Sequence, residues 1–218
     1  MKKTLFLMAI LAVVLIAGCS EKAPKVDPTV INSGRIVTVS TIVQGDVTNR
    51  MVSETVFSGA NAKSITKIET PQGQQEVIQI WVDKKIYNFA ALQPFGQSMI
   101  SPVDWKTTMT SFAKDPQLKD MGVLIGTEEV SGKMCDVYSI DTEQEKAKVW
   151  VLKNEGFPIL LKSETTVPFQ SQTIAQEVTF NIEIPESSFE IPTDVQFQEV
   201  SWNEMMGGQA ETPVETTN

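Results

Sequence analysis

The 218-residue sequence contains no histidine. This absence excludes Ser-His and Cys-His nucleophile pairs, histidine-bearing metal sites and the commonest general base. A glycine-rich phosphate loop is also missing. Two Ser-x-x-Lys strings, Ser64–Lys67 and Ser111–Lys114, lack the further motifs of a penicillin-binding enzyme. We therefore expect a protein that is not an enzyme and that needs no cofactor and no metal.

Basic residues are also in deficit. The chain has 18 Lys and Arg against 27 Asp and Glu, and the formal net charge is −9. This balance argues against nucleic acid as a partner, and against adhesion to an anionic membrane through a basic patch.

A long apolar run is missing as well. Lys2 and Lys3 precede an apolar stretch of 14 residues from Leu5 to Gly18. A membrane-spanning helix needs about 20 apolar residues, so this stretch is short for a permanent anchor. A basic start followed by such a stretch is typical of a secretory signal, here residues 1–18.

The end of this signal, Ala17-Gly18-Cys19, resembles the lipobox of bacterial lipoproteins. The resemblance implies signal cleavage between Gly18 and Cys19, with lipid (palmitate and related chains) on Cys19. Each buried CH₂ contributes about 0.8 kcal/mol, so two or three acyl chains attach a domain to a membrane almost permanently. The alternative is an ordinary cleaved signal followed by a chance cysteine.

The lipobox also implies a location and a charge for the mature chain. We expect the protein on the outside of the plasma membrane, or at the outer membrane facing the periplasm, since Ser20 rather than aspartate follows Cys19. Loss of Lys2 and Lys3 leaves 16 basic against 27 acidic residues, a net charge of −11. With Cys19 acylated, Cys135 is the one remaining thiol, and its strand-like setting predicts a small buried side chain.

The mature chain is predicted to be a tether followed by one β-rich domain. Residues 19–34 are polar and broken by Pro24 and Pro28, which is typical of a flexible tether. Val, Ile and Thr then dominate short segments separated by Gly, Pro, Asn and Asp, which predicts antiparallel strands. The predicted strands span residues 35–43, 49–58, 63–69, 75–83, 86–89, 123–130, 133–141, 146–153, 157–166 and 171–184.

Three local features in these segments carry further expectations. Ser131-Gly132 and Asn154-Glu155-Gly156 predict hairpin turns, the second with positive φ at its glycine. In residues 171–184, one face carries Ile174, Val178, Phe180, Ile182 and Ile184. Only Gln176 interrupts this apolar face, and such alternation predicts one buried and one solvated face.

The middle of the chain departs from the strand pattern. Residues 90–100 mix Pro94 and Gly96 with Phe95 and Met99, which favours a loop carrying apolar groups. Ser101-Pro102 then predicts a helix that starts with a serine cap and runs to about Lys114. Pro185 to Phe197 should lie along the rim of the sheet. Residues 201–218 are expected to form a mostly disordered tail, with a helical turn at Trp202–Met206.

Together these elements predict a mainly β fold. About nine to eleven antiparallel strands would form a strongly curved, unclosed β-barrel, with one central α-helix as its lid. Over residues 35–200 the chain resembles the LolA/LolB lipoprotein-carrier superfamily. The resemblance rests on the order of the elements and on residues 132–138, 149–151, 156–159 and 189–192. That resemblance implies a half-barrel with an apolar hollow that holds acyl chains. The chain lacks the amphipathic helix that usually precedes the first strand of that family.

Aromatic and methionine side chains around the predicted helix are the candidate ligand-binding residues. Such side chains suit a lipid-accepting hollow, although each of them also suits an ordinary core. They are Trp81, Tyr87, Phe89, Phe95, Met99, Trp105, Met109 and Phe112, with Trp150 on the far side.

Two functions follow from these features. The first is a membrane-anchored protein that binds a lipid or the acyl chains of another lipoprotein, for sorting or transport. The second is an envelope sensor or interaction module that contacts an envelope protein and whose hollow is filled by its own side chains. A cavity beside Trp105 and Met109 distinguishes them.

Overall fold

A computed structural model describes residues 30–70, 73–114, 118, 122–154, 156–167 and 169–201, without the side chains of residues 44, 112 and 114. Several expectations lie outside this range. They are the signal (1–18), the Gly18–Cys19 cleavage site, lipidation at Cys19, most of the tether (19–34), the turn at Trp202–Met206 and the tail beyond residue 201.

The described chain forms a single curved and unclosed sheet of twelve strands with one α-helix, α1 (Trp105–Lys114). The expected half-barrel architecture is confirmed, with one strand more than expected. The strands are β1 (Ser33–Gln44), β2 (Val47–Ser58), β3 (Asn61–Thr70), β4 (Gly73–Val82), β5 (Lys85–Ala90), β6 (Phe95–Ile100), β7 (Gly122–Val130), β8 (Lys133–Asp141), β9 (Lys146–Leu152), β10 (Leu160–Val167), β11 (Gln170–Phe180) and β12 (Gln196–Glu199).

Two antiparallel meanders, β1–β6 and β7–β11, meet where β1 pairs with β11. The order across the sheet is β12-β6-β5-β4-β3-β2-β1-β11-β10-β9-β8-β7, and β12 joins β6 in parallel. Two-residue turns suit such a meander because positive φ matches the twist of the flanking strands. At the predicted β7–β8 hairpin, Ser131 has φ 50° and Gly132 has φ 73°.

One face of the sheet is covered by α1 and is called the inner face. At the start of α1, Trp105 stacks on Phe57 of β2. Beyond the end of α1, Leu118 belongs to a cluster with Val149 and Val151 of β9. Gly34 permits the close packing under α1, since a Cβ there would lie 2.6 Å from the Thr179 carbonyl oxygen and 2.9 Å from the Phe57 ring.

The opposite face of β3–β6 is covered by the segment that follows β11. A short 3₁₀ helix, Glu186–Phe189, buries Phe189, and Ile80 of β4 is 1% exposed. Phe197 of β12 meets the rings of Tyr87 and Phe89 edge-on at centroid distances of 5.1 and 5.7 Å. The expectation that residues 185–197 lie along the rim is wrong for Glu186–Phe189, which pack against β3 and β4, whereas β12 does lie at the edge of the sheet.

Two expectations about the middle of the chain are wrong. Residues 95–100 form strand β6, not a loop. Gly96 fits within this strand because the Asn88 backbone and the Phe197 ring pack closely against it: a Cβ at Gly96 would lie 2.8 Å from both the Asn88 oxygen and the Phe197 ring. The helix begins at Trp105 rather than after Ser101, because Asp104 is its cap. The Asp104 Oδ1 accepts the Thr107 N–H at 2.7 Å.

Two expectations about the second meander also fail. The link from β9 to β10 runs from residue 153 to 159, longer than a hairpin turn, and Gly156 is not among the residues with positive φ. The predicted strand over residues 171–184 is also too long. The pairing of β11 with β1 shifts between Val37 and Thr38, at Gln176, where the apolar pattern is itself interrupted. Asn181, with φ 55°, ends β11 and leaves Ile182 and Ile184 outside it.

Candidate binding site

The inner face is where a half-barrel would hold a ligand, and α1 covers part of it. Among the side chains of α1 that the structure describes, Trp105 and Thr110 are buried, at 4% and 2% exposure. The Thr110 hydroxyl donates to the Lys106 carbonyl oxygen within the helix. Lys106 crosses to the sheet side, where its Nζ donates to the Ile31 carbonyl oxygen at 3.1 Å and lies 5.6 Å from the Phe157 ring centre.

Aromatic rings fill the space between α1 and the sheet. Trp105 stacks on Phe57 at a centroid distance of 4.7 Å and lies 6.2 Å from Phe157. Phe57 and Phe157 are 5.3 Å apart, and Phe180 meets both edge-on at 6.4 and 6.1 Å. Such spacings are those of aromatic rings in direct contact. The expected hollow beside Trp105 is therefore occupied by the protein itself.

Polar side chains line the next part of the inner face. Beyond the rings, hydroxyl and amide groups at alternate positions bond to one another across strands, and all of them are half-buried. We call this set the polar floor. Its pairs are Ser40–Thr173 at 2.8 Å, Ser53–Thr66 at 3.0 Å, Thr55–Ser64, and Gln79–Asn88 at 2.8 Å.

Sequence reasoning did not identify the polar floor, although a signal for it exists. Ser or Thr recurs every second residue at Thr38 and Ser40, at Ser53 and Thr55, and at Ser64 and Thr66. Residues two apart in a strand share one face. Three neighbouring strands with this pattern therefore place hydroxyls on one surface.

The predicted ligand-binding residues do not come together at one site. Trp81, Met99 and Trp105 lie in the inner-face core at 5%, 0% and 4% exposure. Tyr87 and Phe89 lie on the opposite face against Phe197. The remaining predicted residues are Phe95 and Met109, at 65% and 37% exposure, and Phe112, whose side chain lies outside the described part.

Trp150 belongs to the same buried cluster as Trp105, but on β9 it alternates with the valines that pack near Leu118. Its Nε1 donates to Glu128 at 2.7 Å, and the Lys162 Nζ lies 3.9 Å from its ring centre. The hydrogen bond from Lys162 keeps the pKa of the Glu164 carboxyl below its usual value. These contacts fix Trp150 within the sheet. A role in ligand binding stays a prediction for all nine aromatic and methionine residues.

Several concavities lie away from the aromatic rings under α1. One of about 700 Å³ is lined mainly by polar side chains of β3 and β4 and by residues 90–93. Polar side chains line another of about 400 Å³ at the far ends of β1, β10 and β11. A more apolar groove of about 350 Å³ lies between β4–β6 and the closing segment, beside Phe89, Leu92 and Val195. None of these concavities is lined by Trp105 or Met109.

Several of the charged side chains form ion pairs. Arg35 bonds to both Glu54 and Glu177, whose side chains raise its pKa. Among the described residues, no group of three acidic or cysteine side chains is placed to hold a metal ion. No helix in that same part of the chain has the length and hydropathy needed to cross a bilayer.

Comparison with known proteins gives only structural likenesses, since no family model and no curated protein matches the chain. An uncharacterized conserved protein from Thermus thermophilus has a TM-score of 0.50 and 11% identity, over 79% of this chain and 93% of that one. MucB in the Pseudomonas aeruginosa MucA/MucB complex has a TM-score of 0.43 and 14% identity, over 78% and 59%.

A LolA superfamily protein from Nitrosomonas europaea has a TM-score of 0.34 and 10% identity, over 76% of this chain and 92% of that one. At such identities a likeness concerns the fold alone.

Proposed function

We propose that this chain is a non-enzymatic, lipid-anchored envelope protein whose half-barrel binds a protein partner through the inner face. The observation that supports this most is the filled space under α1. Phe57, Trp105 and Phe157 occupy the volume that an acyl chain would need. The neighbouring part of the inner face is the polar floor.

The polar floor suits a peptide better than hydrocarbon. Each hydroxyl or amide has more hydrogen-bonding capacity than its one cross-strand partner uses. Covering such a group with hydrocarbon costs about 1–3 kcal/mol when its remaining bonds go unmade. A peptide supplies its own N–H and C=O groups, so the same surface accepts it without that cost.

An acyl-chain carrier is the second candidate, because α1 is a small lid. It has ten residues and presents Met109 to solvent at 37% exposure. Displacing it would uncover the rings of Phe57, Phe157 and Phe180, which are apolar enough to accept hydrocarbon.

A lipid-binding experiment separates these candidates. The domain of residues 20–218, purified from its host, would be analysed by native mass spectrometry and lipid extraction, and then titrated with a fluorescent fatty acid. The protein-binding proposal expects no retained lipid and no saturable binding. Bound lipid that unlabelled fatty acid displaces would overturn it in favour of the carrier.

Site-specific photo-crosslinking in the host envelope tests the partner directly. A benzophenone amino acid at Thr66 would lie on the polar floor, and the same amino acid at Lys67 would lie on the opposite face. We expect a discrete protein adduct from position 66 and none, or a different one, from position 67. Identical adducts at both positions, or no adduct at 66, would contradict binding through the inner face.

A further inference from the structure

The two edge strands of the sheet, β12 and β7, differ in length and in exposure. β12 has four residues, and its Phe197 is turned against Tyr87 and Phe89. β7 has nine residues and, among the described strands, pairs with β8 alone. A short edge is protected from pairing with another chain, whereas a long one offers a row of free N–H and C=O groups.

The β7 edge is also apolar where it is most exposed. Val123, Leu124 and Ile125 are consecutive and are 66%, 56% and 53% exposed. Met134 on the neighbouring strand, opposite Glu129 in the register, is 49% exposed and extends the apolar surface. A bulge at Ile125 interrupts the β7–β8 register and increases the local twist, which limits the length of strand that this edge can pair with.

The second half of the β7 edge is acidic. Glu128 and Glu129 are exposed, and Glu128 already accepts the Trp150 N–H. The nearby cations are turned elsewhere: the Lys133 Nζ lies 5.4 Å from the Phe180 ring centre, and Lys153 pairs with Asp136 at 3.5 Å. The edge therefore presents three apolar residues followed by two carboxylates. Neither Lys133 nor Lys153 is directed at these carboxylates.

This charge favours a basic partner over a second copy of the chain. Two copies of the mature chain, with 16 basic and 27 acidic residues, would each carry a net charge of −11. Like charge disfavours their association, and opposite charge favours a foreign strand.

We propose that the β7 edge receives an extended segment of a partner protein as an additional antiparallel strand. Residues opposite Val123–Ile125 are apolar in that segment, and residues opposite Glu128 and Glu129 are Lys or Arg. Main-chain hydrogen bonds supply affinity in this mode of recognition, and side-chain matching supplies specificity. The site goes beyond the proposed function, because it uses the sheet edge and does not depend on the inner face.

The test uses a fluorescent nine-residue peptide with lysines in its first half and valine and isoleucine in its second. Binding to the mature domain would be followed by anisotropy, and hydrogen exchange would locate the site. We expect saturable binding that weakens as salt is raised, with new amide protection confined to residues 122–129 and their β8 partners. A peptide with glutamate for lysine, and one with N-methylated backbone, should bind at least about fivefold more weakly.

Matched protein variants exclude a general effect of charge. Leu124→Lys and Glu129→Lys should each weaken peptide binding at least about fivefold, while Leu92→Lys, at a fully exposed leucine far from β7, should not. Equal binding to wild type and Leu124→Lys, or amide protection elsewhere, would overturn the proposal. So would concentration-dependent dimerisation of the free domain that Leu124→Lys abolishes, because the occupant would then be a second copy.

Discussion

Asp104 sets the first residue of α1, although a serine–proline pair stands earlier in the sequence. Its side chain accepts the Thr107 N–H at 2.7 Å, and its carbonyl oxygen accepts the Thr108 N–H at 3.0 Å. Ser101 Oγ instead accepts the Val103 N–H at 3.3 Å and so belongs to the turn before the helix. Both residues are good caps by type, and only the direction of the chain leaving β6 decides between them.

Replacing Asp104 with Ala should lower the free energy of unfolding by about 1 kcal/mol, as the loss of a helix cap usually does. Asp104→Asn, which keeps an acceptor, should cost less. The bond from Thr107 lowers the pKa of Asp104 in the folded state. Its stabilising effect is therefore present above the unfolded pKa and is lost as the pH falls through the folded pKa.

Urea denaturation at pH 7 and at pH 3 measures both effects. The difference between wild type and Asp104→Ala should be smaller at the acidic pH. An equal difference at the two values would show that the carboxylate charge contributes nothing.

Cys135 is fully buried, and burial raises the pKa of its thiol to about 11. At pH 8 the thiol is therefore almost entirely protonated, and the thiolate is the reactive form. Iodoacetamide should alkylate Cys135 slowly in the folded domain and quickly in 6 M guanidinium, as followed by intact mass. Rapid alkylation of the native domain would mean that the core around Cys135 opens readily.

At the scale of elements, Trp105 is the largest buried side chain among the described residues of α1, and it packs on Phe57 of the sheet. Trp105→Ala should destabilise the domain by about 3–5 kcal/mol, whereas Met109→Ala should change stability by less than about 1 kcal/mol. The truncated tryptophan would also leave an apolar cavity beside Phe57 and Phe157. Such cavities stay dry and accept small apolar molecules.

Denaturation curves and binding of xenon or benzene test this pair of variants. We expect benzene to stabilise Trp105→Ala and to leave wild type unchanged. Benzene binding by wild type would indicate that a hollow under α1 already exists.

The local sequence pattern predicted most of the strands, but it did not predict where each strand ends or which side of the sheet each side chain occupies. The β7–β8 hairpin was predictable from Ser131-Gly132, because two flanking alternating segments leave little choice of connection. Strand β6 was not, since Pro94 and Gly96 look like loop residues until the packing of Phe197 on Gly96 is known. The shift opposite Val37 likewise depends on pairing between β1 and β11, far apart in sequence.

The candidate site was predicted less well than the fold for the same reason. Trp81, Tyr87 and Phe89 are close in sequence, yet β4 and β5 place Trp81 on the inner face and the two other rings against Phe197. Sequence proximity gave the right composition for a core. It did not separate the two sides of the sheet.

At the scale of the whole molecule, attachment is expected through Cys19 alone. Cys19→Ser should move the protein from the membrane fraction to the soluble fraction of the host, because no acyl chain can then be added. Cys135→Ser is the matched control and should stay with the membrane. Ultracentrifugation and immunoblotting measure the distribution, and a Cys19→Ser protein that still sediments with membranes would rule out lipid attachment at this residue.

The pairing of β1 with β11 also governs how the molecule can be made. One edge of β1 pairs with β2, which follows it directly in sequence. The other edge can pair only after residues 170–180 have emerged from the ribosome. Contacts this distant form slowly. Until they form, β1 has an unpaired edge in the middle of the nascent sheet. A polypeptide that stops short of β11 is therefore expected to aggregate, and the sheet can be completed only after β11 has been synthesised.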